Sequence, residues 1–585
     1  FFFVVLCKML IAKFGQVAVL LFNMTCATML LGPVVCSLVL AIPLLYTSMA
    51  ITVSWDHFKS WFWAEGVFRR QAGPTNALQM PGLQKLIRLI VALLQSLARR
   101  LNFCCHRRQW DALAYWLKCL QTKLLWPELW DQNQAPISMV NAMAPTFAWP
   151  ESLGGPYGMR SPAEEFPLLK APGHGKGVEG RDTGLHSWLD KNTTLDTYFL
   201  LLCAKLAYED DRVIEKEVKA WGFQDLCILN PAEDQDVGSC LPRSALTAKM
   251  KAYIVSTSEA IIIAFRGAQP LNLLQWFTDL DANPVQLGGA SSPRGHESLV
   301  TVHEGFMSAL TAQMDIDNLI IRHGVKQPTQ LMKQSTMFAA VMEHVKVLMR
   351  DHPDSPVYLA GHSLGGGLAS MFGALCNRRM ASEGCREVAV IGPEDIAGIF
   401  TFGQPRCGNI HYATAFDKVY STKCYRFKHA TDVVPWLPLN GTAWWHHGQL
   451  VYIDSGNDFY IGDDHGTLNA QVLDHVTMLP RWVLSLCGHA IAHKGEITAR
   501  QTKVRPACLP NGILESLVFR LLSFLYPLLR LLLYPLVPTI FSDHAPSAYE
   551  FPLLLLAVNK LEEQKVDQLS PRSRGRHELL DHRTA

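Results

Sequence analysis

Hydrophobic residues are distributed unevenly along this chain, and the longest apolar run lies near its beginning. No charged residue occurs between Lys13 and Asp56, and only Pro33 and Pro43 interrupt the run. A membrane-spanning helix needs about twenty apolar residues, so the run is long enough for one span and two are conceivable. The rival interpretation, a secretory signal, normally has an apolar core of only about 7 to 15 residues. We therefore predict that residues 1–55 form a membrane or lipid-droplet anchor.

Two stretches of different character follow this run. Residues 56–131 are amphipathic and basic, and two interpretations fit them equally well. They are either helices that lie in a membrane interface or helices that pack on the main domain. Residues 132–194 are rich in Pro, Gly and Ser and lack periodicity, which is typical of a linker.

Helix and strand patterns alternate from residue 195 to about residue 550. The apolar spacing predicts helices over residues 194–208, 336–350 and 364–375, and short apolar runs predict strands over residues 252–256, 260–265, 357–360, 398–402 and 424–427. Such alternation is typical of a mostly parallel sheet that is covered by helices on both faces. We therefore predict an α/β domain with a mostly parallel central sheet.

A second apolar stretch, residues 510–541, interrupts this domain near its end. Repeated prolines make a single straight membrane span a poor fit for it. We predict a lipid-contacting helical insertion, and a buried cap over the domain is the alternative. Residues 551–585 are expected to form a charged tail that is disordered from Lys560 onward.

Composition and charge change this picture only slightly. The formal net charge is +2, so the bulk charge does not indicate a nucleic-acid partner. The 15 cysteines are scattered and do not form the framework of a small disulfide-rich protein, so we expect reduced thiols in a domain that faces the cytosol. No metal or organic cofactor is expected. Because the chain starts at Phe1 without Met, we expect the natural N-terminus to lie upstream.

The decisive chemical motif is Gly361-His362-Ser363-Leu364-Gly365, which joins a predicted strand to a predicted helix. A strand-turn-helix elbow of this kind strains the serine backbone and presents Oγ toward substrate. Glycines are needed on either side because a side chain there would collide with the neighbouring strand and helix. The backbone N–H of Leu364 opens the helix and is the natural donor to a developing oxyanion. The motif therefore predicts an α/β-hydrolase with Ser363 as its nucleophile.

A serine hydroxyl needs a histidine to accept its proton, and that histidine needs a carboxylate to orient it. In this fold the chain order is Ser, then Asp or Glu, then His. Asp432 follows the predicted strand 424–427 and precedes the turn at Pro435, which is the expected place for the acid. The alternative is an ordinary aspartate in a turn.

Several motifs together resemble those of the class 3 lipases. They are Ala264-Phe265-Arg266-Gly267, the Ser363 elbow, Phe402-Gly403-Gln404-Pro405-Arg406 and Asp432-Val433-Val434-Pro435. Residues 202–209 resemble the first helix of the plant and algal members. With apolar stretches at both ends of the domain, the chain is most similar to the plant oil-body triacylglycerol lipases. This resemblance implies an acylglycerol substrate and a lipid-droplet or endoplasmic-reticulum location.

Two histidines after Asp432 are candidates for the base. His475 lies at the shorter separation that is usual for the fungal class 3 lipases, but it falls inside an amphipathic helical pattern, where a structural histidine is the ordinary expectation. His544 follows the apolar segment in a loop-like setting, and its surroundings resemble the histidine motif of the oil-body lipases. We favour His544.

The chain departs from the family at the oxyanion hole. Class 3 lipases usually carry Thr or Ser directly after the Phe-Arg-Gly element, whereas this chain has Ala268. The backbone N–H of Ala268 can still donate, but the supporting hydroxyl is missing. Removing a whole donor typically costs about 100-fold to 1000-fold in rate, so losing only a side-chain contribution should cost no more.

These observations predict a triacylglycerol lipase that acts at a lipid-droplet or membrane surface. A phospholipase or galactolipase of the same fold is the enzymatic alternative, and a catalytically weak lipid-droplet protein is the non-enzymatic one. A soluble esterase fits less well because it would have to hide two apolar stretches. The oligomeric state is not indicated by the sequence.

Overall fold

A computed structural model describes the parts of the chain that build the site. The described residues are 118–119, 137–141, 144–145, 147, 191–232, 250–257, 260–268, 284–287, 300–328, 330–438, 444–461, 471, 473–474, 477 and 543–569. All of them belong to one compact unit, residues 72–585.

The centre of the described structure is an eleven-stranded sheet. The strands are β1 (Asp225–Pro231), β2 (Ala252–Ser256), β3 (Ile261–Phe265), β6 (Met314–Arg322), β7 (Val325–Lys326), β8 (Gln330–Ser335), β9 (Val357–His362), β10 (Ile396–Phe402), β11 (Cys424–His429), β12 (Gln449–Ile453) and β13 (Phe459–Ile461). Their order is β13-β12-β11-β10-β9-β3-β2-β1-β6-β7, and β8 also pairs with β6. A separate pair joins β4 (Pro284–Gln286) to β5 (Thr301–His303).

The sheet is mixed, so the prediction of a mostly parallel sheet is wrong in its proportions. Strands β3, β9, β10, β11 and β12 are parallel neighbours. The flank from β2 to β8 and the edge strand β13 are antiparallel. The reason is visible at β2 and β3, which are joined by residues 257–260 only. A connection this short reverses the chain direction, whereas parallel neighbours need a long crossover.

Eight helices of the described residues surround this sheet. They are α1 (Lys191–Leu206), α2 (Asp211–Ala220), α3 (Glu304–Thr311), α4 (Met337–Asp351), α5 (Leu364–Cys376), α6 (Glu383–Val388), α7 (Ile410–Tyr420) and α8 (Pro546–Leu569). Helix α4 begins where Thr336 accepts a hydrogen bond from the Ala339 amide, which is a standard N-cap. Central strands β3 and β9 are buried along their whole length, as expected for strands covered on both faces.

Helix α8 corrects the predicted end of the domain. The predicted charged tail starts at residue 551, but the helix continues to Leu569. Tyr549, Leu553 and Ala557 are fully buried and pack with α1 in the main core. Their spacing of four residues places them on one helix face, so apolar burial holds this segment against the domain.

Part of the predicted linker also packs against the domain. The backbone N–H of Ser138 and the side-chain amide of Asn141 both donate to the buried carboxylate of Glu209, at 2.9 and 2.6 Å. The indole N–H of Trp221 donates to the carbonyl oxygen of Phe147 at 2.9 Å. Ser138 and Asn141 are therefore fastened to the turn after α1, and Phe147 is fastened to the end of α2.

Other predictions fall outside the described residues. These are the anchor at 1–55, nearly all of the amphipathic stretch 56–131, the apolar insertion at 510–541, His475 and the last part of the tail, residues 570–585. Within the described residues, no helix combines the length and the apolar character needed to cross a bilayer. The described cysteines are free thiols, and most of them are buried.

A buried ion pair connects α1 to α8 and yields a stability prediction. Lys205 Nζ lies 2.7 Å from Glu550 Oε2, and the lysine side chain is 0% exposed. Glu550→Gln removes a carboxylate that accepts a hydrogen bond from this buried ammonium, so we expect the free energy of unfolding to fall by about 1.5 to 3 kcal/mol in urea titrations.

The matched control is Glu215→Gln. Glu215 pairs with Lys326 at 2.9 Å, but the two side chains are 33% and 55% exposed. Exposed pairs contribute about 0 to 1 kcal/mol, so this control should lose less than about 1 kcal/mol. Equal losses in both variants would contradict the importance of the α1–α8 pair.

Candidate active site

Ser363 lies at a sharp turn between β9 and α5. Its backbone angles are φ 59° and ψ −129°, and a positive φ is uncommon and strained for a residue with a side chain. The serine N–H donates to the carbonyl oxygen of Phe402 on neighbouring β10 at 2.8 Å. The turn is therefore fixed from both sides by the sheet and the helix, as the elbow motif predicts.

The flanking glycines are required by contact distances. A Cβ on Gly361 would lie 2.1 Å from the carbonyl oxygen of Gly365, and a Cβ on Gly365 would lie 2.2 Å from the carbonyl oxygen of Phe265. Backbone atoms cannot move aside as a flexible side chain can. The expectation that a side chain would collide at these positions is confirmed.

Asp432 and His544 lie together although 112 residues separate them. His544 Nδ1 is 2.9 Å from Asp432 Oδ2, and Tyr549 Oη donates to the same carboxylate oxygen. The other oxygen, Oδ1, accepts the N–H of Val434 at 2.9 Å. The Asp432 side chain is 0% exposed, and its hydrogen bonds compensate for the water it has lost.

The segment that carries His544 is fastened to the elbow and to the Asp432 loop. The carbonyl oxygen of His544 is 2.7 Å from Nε2 of His362, the residue before the serine, and the two imidazole rings are 4.7 Å apart. Asp543 Oδ2 accepts hydrogen bonds from the N–H and the hydroxyl of Thr431 at 3.1 and 2.6 Å. These contacts bring the imidazole of His544 beside the serine turn.

The structure does not join every predicted partner directly. Among the described residues, no hydrogen bond links the Ser363 hydroxyl to the His544 imidazole; the imidazole is bonded through Nδ1 to Asp432. A serine–histidine bond commonly tightens only when substrate is bound. With Nδ1 directed at the carboxylate, Nε2 is the ring nitrogen that can accept a proton.

Gly403 makes room for the Asp432–His544 pair. Its φ is +62°, and an added Cβ would lie 2.8 Å from Asp432 Oδ2 and 2.9 Å from both Cε1 and Nδ1 of His544. This glycine belongs to the quoted Phe-Gly-Gln-Pro motif, but the sequence did not indicate its contact with the site.

His362 is held neutral between two hydrogen-bond partners. Its Nδ1 lies 2.8 Å from the hydroxyl of Tyr208, and its Nε2 faces the His544 carbonyl. Burial and the nearby His544 lower the pKa of His362 well below its ordinary value, and the backbone bond to His544 opposes this effect only in part. The sequence motifs indicate no role for either Tyr208 or His362.

The two predicted oxyanion donors lie on adjacent elements. Leu364 is the first residue of α5, and Ala268 follows β3, the strand that pairs with β9. Gly267, immediately before Ala268, is in close contact with the elbow, because a Cβ there would lie 2.5 Å from the carbonyl oxygen of His362. The turn after β3 and the serine turn are therefore packed directly together.

A buried cation lies below the Asp432 loop. Lys428 Nζ is 3.1 Å from Gln471 Oε1, 4.5 Å from the ring centre of Trp436 and 5.2 Å from that of Tyr452. Burial lowers the pKa of Lys428 to about 7, with Arg426 and Arg406 acting in the same direction and Asp432 and Asp474 opposing it. Nothing in the sequence pattern distinguishes this lysine from a surface residue.

The segment that carries most of this site is similar to known proteins. The model of the lipase (class 3) family matches residues 262–442. The match contains the Ser363 elbow, Gly403 and Asp432, and it confirms the resemblance inferred from the motifs. His544 lies beyond it, so the matched lipase segment does not by itself include a candidate base.

Relatives extend the similarity beyond this segment. The chain is 26% identical over 307 residues to the triacylglycerol lipase OBL1 of Ricinus communis, covering 47% of this chain and 52% of that protein. It is 27% identical over 203 residues to phospholipase A1-II 1 of Oryza sativa subsp. indica, covering 34% and 44%. The chain thus spans about half the length of the curated relatives it matches. The solved triacylglyceride lipase of Rhizomucor miehei is 21% identical with a TM-score of 0.31, covering 48% of this chain and 91% of that one.

The contact at Gly403 leads to a prediction for the candidate site. Gly403→Ala pushes a methyl group against the Asp432–His544 pair, and a misplacement of about 1 Å can cost about 100-fold in rate. We expect kcat to fall by about 100-fold in an ester hydrolysis assay.

Gly324→Ala is the matched control for Gly403→Ala. Gly324 has φ +75° but nothing within 4 Å of an added Cβ. This variant should lose about 1 kcal/mol of stability and keep its kcat. If both glycine variants lost activity equally, backbone strain rather than contact with the pair would be the cause.

Lys428 leads to a prediction about stability and pH. In the unfolded chain the lysine keeps its proton up to its ordinary pKa of 10.5, whereas in the folded domain it releases the proton near pH 7. Between these values the unfolded state binds more protons, so the stability of the natural chain rises with pH across this window.

Lys428→Met removes that dependence. The quantity to follow is the Tm of the variant minus the Tm of the natural chain. This difference should be highest below pH 7 and should fall steadily from pH 7 to about 10.5. Thermal unfolding at a series of pH values measures this, with Lys326→Met as a control whose lysine is 55% exposed. A pH-independent difference between Lys428→Met and the natural chain would refute the prediction.

Proposed function

We propose that this chain is a lipase that hydrolyses acylglycerol esters through Ser363, His544 and Asp432. The observation that carries the proposal is the hydrogen bond between Asp432 and His544, formed beside a strained serine elbow across 112 residues of sequence. Nucleophile, base and orienting acid are the three groups that serine hydrolysis requires. They occur here in the Ser, Asp, His chain order of the α/β-hydrolases.

The chemistry follows from these positions. Ser363 Oγ attacks the ester carbonyl carbon while His544 Nε2 accepts the serine proton, and His544 then donates that proton to the departing alcohol oxygen. Water, deprotonated by the same nitrogen, attacks the acyl-enzyme and releases the fatty acid. Asp432 holds Nδ1–H and thereby stabilises the imidazolium that forms in each half-reaction.

The backbone N–H groups of Leu364 and Ala268 are the proposed oxyanion donors. Leu364 contributes the amide at the beginning of α5, where the helix dipole also favours negative charge. Ala268 contributes an amide without a supporting hydroxyl. We infer a working oxyanion hole with a lower rate than a hydroxyl-bearing site would give.

Triacylglycerol is the substrate we favour, at a lipid-droplet or endoplasmic-reticulum surface with the domain facing the cytosol. Support comes from the similarity to OBL1, which is named as a triacylglycerol lipase, and from the apolar stretches 1–55 and 510–541. Phospholipid hydrolysis is the second candidate, and the similarity to the rice phospholipase A1 favours it. A catalytically weak lipid-droplet protein is the third, and Ala268 is the feature that favours it.

A side-by-side assay tests the proposal. The full chain is incubated with triacylglycerol, diacylglycerol, phosphatidylcholine and monogalactosyldiacylglycerol in matched emulsions, with Ser363→Ala as the control. We expect the highest rate on triacylglycerol and a loss of about 10⁴-fold or more in the serine variant. Equal rates from both proteins would reject the enzyme, and a preference for phosphatidylcholine would replace the substrate.

The same assay identifies the base. His544→Ala should reproduce most of the loss seen in Ser363→Ala, because residues that act as one unit are not additive. His475→Ala should keep its activity within a few-fold. The reverse result would transfer the role of base to His475.

A further inference from the structure

Tyr208 is a buried tyrosine that touches three separate parts of the site. It lies in the turn after α1, far in sequence from the elbow, and its hydroxyl is 2.8 Å from His362 Nδ1 and 3.3 Å from the His362 carbonyl oxygen. Its oxygen is also in contact with Gly267, because a Cβ on that glycine would lie only 1.9 Å from it. No room remains between the tyrosine, the elbow and the turn after β3.

The direction of the hydrogen bonds follows from the chemistry of the groups. The His544 carbonyl can only accept, so His362 Nε2 must carry the hydrogen of their 2.7 Å contact. His362 is neutral because burial lowers its pKa well below the ordinary value, and a neutral imidazole carries one hydrogen. Nδ1 is therefore an acceptor, and the Tyr208 hydroxyl donates to it.

The tyrosine hydroxyl keeps its hydrogen throughout the working range. Burial raises the pKa of Tyr208, and this effect outweighs the opposing charge of Arg266 and the backbone hydrogen bond from Gly267. The hydrogen of this hydroxyl is donated to His362, and its oxygen lies in close contact with Gly267. The result is one continuous path from Gly267 through Tyr208 and His362 to the backbone of His544.

The position of Gly267 decides where the Ala268 amide points. That N–H belongs to the peptide group that links Gly267 to Ala268, so a shift of Gly267 redirects it. Ala268 has no hydroxyl that could hold its own backbone. The orientation of this proposed oxyanion donor therefore depends on what Gly267 contacts, and the Tyr208 hydroxyl is one of those contacts together with the His362 carbonyl oxygen.

We propose that Tyr208 is a positioning residue for acyl transfer, whose hydroxyl holds the oxyanion turn, the serine elbow and the histidine segment in register. The inference rests on the proposed function, because it assigns a role within that reaction. Tyr208 itself touches neither substrate nor the transferred proton. It sets the geometry of groups that do. Its loss should therefore weaken stabilisation of the transition state more than it weakens substrate binding.

The test is Tyr208→Phe in the full chain, with Tyr253→Phe as the matched control. Tyr253 lies on β2, away from the site, and is also fully buried. Its hydroxyl donates to the carbonyl oxygen of Cys203 on α1 at 2.9 Å. Each variant loses one buried hydroxyl. Tyr208→Phe should lower kcat by about 10-fold to 100-fold with KM changed by less than about threefold, whereas Tyr253→Phe should keep its kcat.

A second readout separates positioning from a general loss of structure. A trifluoromethyl ketone analogue of the acyl chain forms a tetrahedral adduct with the serine and reports on the oxyanion hole. Its inhibition constant should rise in Tyr208→Phe by the same factor by which kcat falls. If the variant does not fold, His362→Asn interrupts the same path one step later and should show the same parallel change.

The outcomes distinguish this proposal from the proposed function. If the natural chain is no more active than Ser363→Ala, the proposed lipase function itself is rejected. Natural-chain activity with an unchanged kcat in Tyr208→Phe, or an equal loss in Tyr253→Phe, rejects only the positioning role. A fall in kcat without weaker binding of the ketone also rejects it, because the oxyanion donor would then be unaffected.

Discussion

The buried carboxylate of Asp432 is the constraint around which this site is organised. A carboxylate removed from water is costly unless hydrogen bonds replace the lost solvent. Here the replacements come from Val434 in the same loop and from His544 and Tyr549, more than one hundred residues away. Satisfying this one side chain requires the C-terminal segment to return to the sheet, and that return brings an imidazole to the serine elbow.

The docking of α8 also stabilises this return. Tyr549, Leu553 and Ala557 bury one face of the helix against α1, and the Lys205–Glu550 pair joins the same two helices. Tyr549 has two tasks, because its ring fills the core while its hydroxyl reaches Asp432. Packing and site geometry therefore depend on the same contacts, so a loosened α8 would disturb both.

Close backbone approach is the second recurring feature. Gly361, Gly365, Gly267 and Gly403 each occupy a position where a Cβ would meet another atom at less than 3 Å. Together they allow β3, β9, β10 and α5 to converge on the serine turn without a gap. The path from Tyr208 through His362 to His544 runs through this convergence, so residues outside the matched segment are in contact with the serine turn.

Local signals were sufficient to find much of this protein from its sequence. The elbow around Ser363, the acid position after β11 and the strands and helices next to them follow from patterns only a few residues long, because glycine contacts, turn geometry and apolar spacing are local properties. The hairpin of β2 and β3 was also visible, although its consequence for the proportion of antiparallel strands was missed.

Contacts between distant segments were decided only by the tertiary structure. Sequence offered both His475 and His544, and the structure places His544 against Asp432. It also reveals the burial of Lys428, the helical continuation of the supposed tail and the contacts of Tyr208 with the elbow. Each depends on which surfaces come into contact after the chain has folded. The residue types and spacing of a single segment do not show which distant segment it will contact.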